Sequence, residues 1–158
     1  TMNVGISGHR NIPERGRTAI CQSMRRTLTA ARHPVTGVTS LADGADQLFA
    51  TLVLQQGGRL HVIVPCHDYE KSFETADALV GFQTLLARAA EIDTLPFSGP
   101  SEDAFLAAGR SVVDLSDMLL AVWDGKPAGG KGGTADIVAY ARSKDLPVLV
   151  VWPRGLHR

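Results

Sequence analysis

A chain of 158 residues, 44% hydrophobic and 20% charged, is long enough to bury a sizeable core and too short for two domains to be expected, so residues 2–158 are read as one domain. Its 16 basic and 16 acidic residues sum to a formal charge of zero, which gives no bulk attraction to nucleic acid or to an acidic membrane. Neither is expected as a partner, and an anionic ligand would have to be held by a local arrangement of residues.

In chain order, short apolar runs rich in β-branched residues alternate with longer segments of helical spacing. Met2 to Ser7 reads as a first strand. Arg15 to Ala31 follows as a helix, with Ile20, Met24 and Leu28 on one face. Val35 to Leu41 is a second strand and Ala45 to Gln56 a helix that Asp43 is placed to cap, stopped by Gly57 and Gly58. Leu60 to Val64 is a third strand, Thr75 to Ala90 a helix and Ile92 to Pro96 a fourth strand. Glu102 to Leu115 is helical, with Phe105, Leu106, Val112 and Val113 as apolar surface for the core or for a subunit contact. Met118 to Trp123 is a buried strand, Thr134 to Ser143 a helix and Pro147 to Trp152 a last strand. This alternation predicts a Rossmann-like three-layer α/β/α fold around a mainly parallel sheet. No apolar run approaches the roughly 20 residues of a membrane helix. Two cysteines, Cys21 and Cys66, with neither CxxC spacing nor a secretory leader, lead to an expected cytoplasmic setting.

In such a sheet ligands bind beyond the carboxyl ends of the strands, and the polar and glycine-rich stretches fall there. The most specific is Asp124 to Asp136, which holds five glycines, two lysines and a threonine directly after a strand. Gly129, Gly130, Gly132 and Gly133 can turn successive N–H groups into one concavity, and Thr134 opens a helix whose free N–H groups favour an anion. The alternative is a plain connection. From Gly125 the letters nearly match a P-loop, but Gly132 stands where a magnesium-binding hydroxyl belongs, so an ATPase is excluded. Gly5-Ile6-Ser7-Gly8 lacks the spacing of a dinucleotide fingerprint. Ser7 and Gly8 permit close approach of a ligand after the first strand, and Arg10 can bridge two phosphate oxygens, unless it only pairs with Glu14. His9 is either a ligand contact or a satisfied loop histidine. After the second strand, Asp43 and Asp46, on either side of Gly44 and Ala45, offer carboxylates to ribose hydroxyls, although capping and the helix dipole account for both acids. Arg110 and Asp136 form a candidate catalytic pair, able to stabilise charge as a glycosidic bond breaks. The five histidines show no metal-ligand spacing, and no metal or cofactor is expected.

Taken together, Gly5 to Arg10, Ser40 to Asp46, Val64-Pro65 with Tyr69, the run from Val113 to Gly125, and Gly129 to Thr134 resemble the SLOG superfamily. That group includes the LOG nucleotide phosphoribohydrolases, the DNA-uptake protein DprA and nucleotide-sensing modules of bacterial conflict systems. The resemblance runs from Val4 to about Val151. It implies a Rossmann-like sheet that binds a nucleotide or nucleotide derivative at the glycine loop, commonly in a homodimer or larger oligomer. LOG enzymes use an arginine and a glutamate to release the base, and Arg110 and Asp136 lie near those positions. Asp136 is one methylene shorter than the family glutamate, and the loop carries an extra glycine. The Gly8-His9-Arg10 and Asp43-Gly44-Ala45-Asp46 forms look closer to the stand-alone, sensor-like branch, which implies binding without turnover.

Overall fold

In the computed structural model, which describes residues 1–127 and 132–158, six parallel strands form one sheet. They are β1 (Met2–Gly8), β2 (Val35–Thr39), β3 (Arg59–Val64), β4 (Glu91–Thr94), β5 (Met118–Val122) and β6 (Val148–Val151), in the order β4-β3-β2-β1-β5-β6. The helices are α1 (Glu14–Ala30), α2 (Ala45–Gln55), α3 (Ala76–Leu86), α4 (Glu102–Asp114) and α5 (Thr134–Ser143). The expected three-layer α/β/α class is the observed one, with an entirely parallel sheet.

A parallel sheet is apolar on both sides because helices cover both. On one side α1, α2 and α3 bury Val4 and Ile6 of β1 against Ile20, Met24, Leu28 and Phe49. On the other, α4 and α5 enclose Val38, Ile63 and Leu119 with Ala108, Val112 and Ile137. Val112 and Val113 of α4 therefore belong to the core, which decides that helix's apolar surface in favour of packing. Gly109 lets α4 come close to α5, since a Cβ there would lie 2.3 Å from Ile137 Cδ1.

The edges depart from the expected boundaries. β4 begins one residue earlier than Ile92 and is exposed throughout. It is pinned to β3 by buried His61, whose ring nitrogens lie 3.2 Å from Glu91 and 2.7 Å from Asp93. α3 stops at Leu86, with Thr75 as its N-cap, accepting from the Ala78 N–H at 3.1 Å. Among the described residues no helix is long and apolar enough to cross a membrane.

From β1 to β4 the strands are added outward in one direction. α4 then returns the chain to the other side of β1, where β5 is laid down. This reversal parts the loops after β1 and β5 and leaves a crevice at their carboxyl ends. Two glycines hold the crevice in shape. A Cβ on Gly8 would sit 2.4 Å from Ala45 Cβ, and one on Gly44 would sit 2.2 Å from the Arg10 carbonyl oxygen at a φ of +82°.

Gly44→Ala combines a left-handed backbone with a clash against main chain, and is expected to destabilise by roughly 2–4 kcal/mol. Gly57→Ala, at a φ of +81° with open space around it, carries only the backbone cost of about 1–2 kcal/mol. Urea denaturation of the two variants measures the difference. Equal losses would mean that the contact between Gly44 and the Arg10 main chain is not tight.

Candidate ligand-binding site

The crevice between β1 and β5 opens into a cavity of about 450 Å³. Ser7 and Gly8 from β1, His9 and Arg10 from the turn after it, Asp46 from α2, and Gly132, Gly133 and Thr134 at the start of α5 all line it. The structure thus gathers residues that are remote in sequence around one space. Gly129 and Gly130 lie outside the described residues.

Arg10 makes no ion pair with Glu14 among the described residues; its guanidinium lies over the Phe105 ring, 5.2 Å from the centroid. A stacked guanidinium keeps its charge and its donors available to an anion. Thr134 is buried, lines the cavity and opens α5, whose N-terminus carries the partial positive charge of a helix start. Gly132 adopts a φ of +81°, and a Cβ there would meet the Leu106 main chain at 2.7 Å, so glycine is what allows the loop to approach α4.

His9 is tied on both ring nitrogens. Nε2 lies 3.1 Å from the Asp124 N–H and 3.3 Å from its carboxylate, and Nδ1 lies 3.2 Å from Arg158. Trp152 packs edge-on against the ring at 5.4 Å. Burial first, and then the Arg158 charge, lower the His9 pKa against the pull of Asp124, which favours the neutral imidazole. Burial pushes the Asp124 carboxyl up, but the Lys126 N–H, Arg158 and His9 outweigh it and hold it below its usual range. His9 and Asp124 therefore act as a clamp between the β1 and β5 loops. Of the two readings of His9, the satisfied loop histidine is the one its contacts describe.

The two acids after β2 face different ways. Asp43 accepts from its neighbour's Gly44 N–H at 2.8 Å, and Gly44 rather than Asp43 is the N-cap of α2, so the expected cap is corrected. Both residues line a different cavity. Asp46 is buried in the first, accepting from Thr39 Oγ1 at 3.1 Å and the Ser40 N–H at 3.3 Å. Burial drives its carboxyl from the ordinary 3.8 up to about 7, against the hydrogen bonds of Thr39, Ser40 and Ala42 and the Arg10 charge. Near neutral pH it can donate a hydrogen bond as well as accept one.

The candidate catalytic pair is not brought to this cavity. Arg110 is exposed on α4, stacked 5.3 Å over the Tyr140 ring. Asp136 is exposed and folds back to accept from the Gly132 N–H at 3.2 Å, which makes it a brace for the loop. Two contributors escaped the sequence reading as ligand-facing groups: Phe105, which spacing assigned to core or interface, and Tyr69, known only as part of a motif. Tyr69 donates to the Ser40 carbonyl at 3.0 Å and packs edge-on against Phe73, Phe82 and Phe105.

A second cavity, of about 790 Å³, lies beside the first among α1, α2 and α3. Arg10, Arg17, Arg88 and Arg158 line it, with Asp43 as its one acid.

Compared by sequence, the chain matches no protein-family model and no curated protein. Compared by structure, it superposes with TM-score 0.70 on DNA processing protein A from Helicobacter pylori, at 21% identity, over 98% of this chain and 66% of that one. DNA processing protein A from Streptococcus pneumoniae gives 0.73 at 15% identity, over 98% of this chain and 52% of that one. TM1055, a LOG-family protein, gives 0.60 at 17% identity, over 94% and 72%. These are SLOG superfamily members. The chain shares their fold. It spans about two thirds and about half of the length of the two DNA processing proteins.

This likeness corrects one expectation. A formal charge of zero led to nucleic acid being set aside as a partner, yet the fold is shared with the Helicobacter protein, whose single-stranded DNA binding mode is described. The physical reason is that a sum over the chain says nothing of local field: four arginines line one cavity of a formally neutral protein.

Because folded Asp46 holds its proton more tightly than the unfolded chain does, the stability it contributes is full below about pH 4 and is lost as pH rises through about 7. Thermal midpoints measured from about pH 5 to about pH 8 are expected to fall for the natural protein relative to Asp46→Asn. The opposite trend from His9 is common to both proteins and cancels. Parallel curves would show that Asp46 titrates at its ordinary value.

Proposed function

We propose that the cavity between β1 and β5 binds a nucleotide or nucleotide-derived ligand as a sensor or regulatory module. The observation that carries this reading is the meeting, in one cavity at the strand-order reversal, of a stacked cationic Arg10, the N-terminus of α5 at Thr134 and buried Asp46. A phosphate would lie against Thr134 and Arg10, with Ser7 and Gly8 closing the opposite side. Asp46 would meet the sugar hydroxyls, and Phe105 offers an aromatic face to a base.

The single-stranded DNA binding reported for the Helicobacter protein supports counting nucleotides within a strand, as well as free ones, as candidates. Binding without turnover is favoured, because neither Arg110 nor Asp136 lines the cavity: Arg110 stacks on Tyr140, and Asp136 braces the Gly132 main chain. In this reading the chain works as a single cytoplasmic domain. Assembly into a homodimer or larger oligomer is supported by its two edge strands, where Ile92, Leu149 and Val150 are 47%, 42% and 39% exposed.

Thermal shift and free-base release, recorded together with nucleoside monophosphates, NAD, cyclic nucleotides and short oligodeoxynucleotides, test the proposal. Stabilisation without base release is expected. Arg10→Ala should weaken binding about 10- to 100-fold, the loss of a charge-assisted contact, with the ligand-free midpoint little changed. No stabilisation by any probe would overturn nucleotide binding, and base release abolished by Asp136→Asn would replace the sensor with a hydrolase.

A further inference from the structure

We propose that the cavity among α1, α2 and α3 is a second phosphate site, which takes the outlying phosphate groups of the nucleotide held at the strand ends. The preferred ligand then carries at least two phosphates. This inference rests on the nucleotide reading above.

Three observations carry it. The first is charge. Arg10, Arg17, Arg88 and Arg158 line this cavity, and its one acid, Asp43, already accepts from the Gly44 N–H at 2.8 Å. Among the described residues the side chains of Arg17 and Arg88 make neither a hydrogen bond nor an ion pair. Arg158 is paired with Asp124 at 2.8 Å, whereas Arg10, Arg17 and Arg88 make no ion pair among the described residues. Guanidinium groups gathered in this way repel one another, and a bound anion relieves that cost. In a chain with 16 basic and 16 acidic residues such a gathering is a local feature.

The second is shape. At about 790 Å³ the cavity falls within the roughly 300–1,000 Å³ of sites that enclose small ligands. Ile12, Leu48 and Leu85 lend it an apolar lining beneath the cationic groups. A phosphate with an attached sugar or base fits that combination better than a bare ion does.

The third is continuity. Arg10, Asn11 and Arg158 line both cavities, so the two share a wall. That wall is held from behind by Gly44, whose missing side chain lets α2 approach the Arg10 carbonyl. A ligand whose first phosphate meets Arg10 at the strand ends can place its next one toward Arg17 and Arg88. The outlying group can be the tail of a nucleoside polyphosphate or the second unit of a phosphodiester-linked dinucleotide. Both present the same chemistry to the arginines.

The test titrates AMP, ATP, the dinucleotide pApA and inorganic triphosphate into the natural protein, Arg17→Ala/Arg88→Ala, and the control Arg25→Ala/Arg32→Ala. The control removes the same charge from exposed positions that line neither cavity. ATP or pApA is expected to bind at least about tenfold more tightly than AMP, as one or two added charge-assisted contacts imply. That gain should vanish in Arg17→Ala/Arg88→Ala and persist in the control, with AMP affinity the same in all three. A gain for ATP alone identifies a polyphosphate tail, and a gain for pApA alone a phosphodiester. Equal affinity for all three nucleotides, or a gain that survives in Arg17→Ala/Arg88→Ala, overturns the second site. If AMP binds to none of the proteins, the strand-end reading fails by itself. Triphosphate binding lost in Arg17→Ala/Arg88→Ala would then uphold the arginine cavity as a phosphate site, and its absence would overturn that too.

Discussion

At the end of β1 the main chain passes between Ala45 of α2 and Val122 of β5 in a gap with no room for a side chain. A Cβ on Gly8 would lie 2.4 Å from one Cβ and 2.9 Å from the other. The next residue uses both of its main-chain groups to close the joint: the His9 N–H donates to the Val122 carbonyl at 3.1 Å, and its carbonyl accepts from the Ala45 N–H at 3.2 Å. Strand, neighbouring strand and helix are thereby locked at one point. From there Ser7, Arg10 and Asp46 reach a single cavity, and the loop that leads into α5 closes its other side. Glycine at position 8 is thus a packing requirement that fixes where the ligand-facing groups stand.

Around that joint the charged groups divide into those spent on structure and those left available. Asp124 and Arg158 neutralise one another and hold the His9 ring between them in a clamp between loops. Asp136 braces Gly132, and His61 ties an edge strand through two carboxylates. Arg10, by contrast, rests on an aromatic face and makes no ion pair among the described residues, and Asp46 is buried where ionisation is disfavoured. In the proposed reading this polar cavity, with a cation and a carboxyl that titrates at about 7, receives an anion and a hydroxyl-bearing group, and the adjoining arginine-lined cavity extends that preference outward.

Much of this was legible in the residues. Parallel strands buried on both faces appear as short apolar runs, helices show their period, and the strand-end rule predicts which loops should converge. Ser7, Gly8, Arg10, Asp46 and Thr134 could be singled out because each follows a strand or opens a helix. The roles of Asp136 and Arg110 were not legible. A motif places a residue along the chain, whereas the direction of its side chain depends on the turn it braces or the ring it stacks on. Phe105 was hidden for a related reason, since one helical position reads the same whether it faces core, partner or ligand.

The fold class, the order of elements and the set of loops at the strands' carboxyl edge can be read from the residues alone, because periodicity and turn chemistry are local properties. Packing in three dimensions sets which of those groups share a space. It separated Asp43 from Asp46, three residues apart, into different cavities, turned Asp136 back onto its own loop, and brought Arg17 of α1 and Arg88 after α3 beside Arg10. Distances between elements are set by packing, by the clearance a glycine allows and by the return of α4 across the sheet. A formal charge of zero conveyed none of this, because a sum over residues has no positions in it.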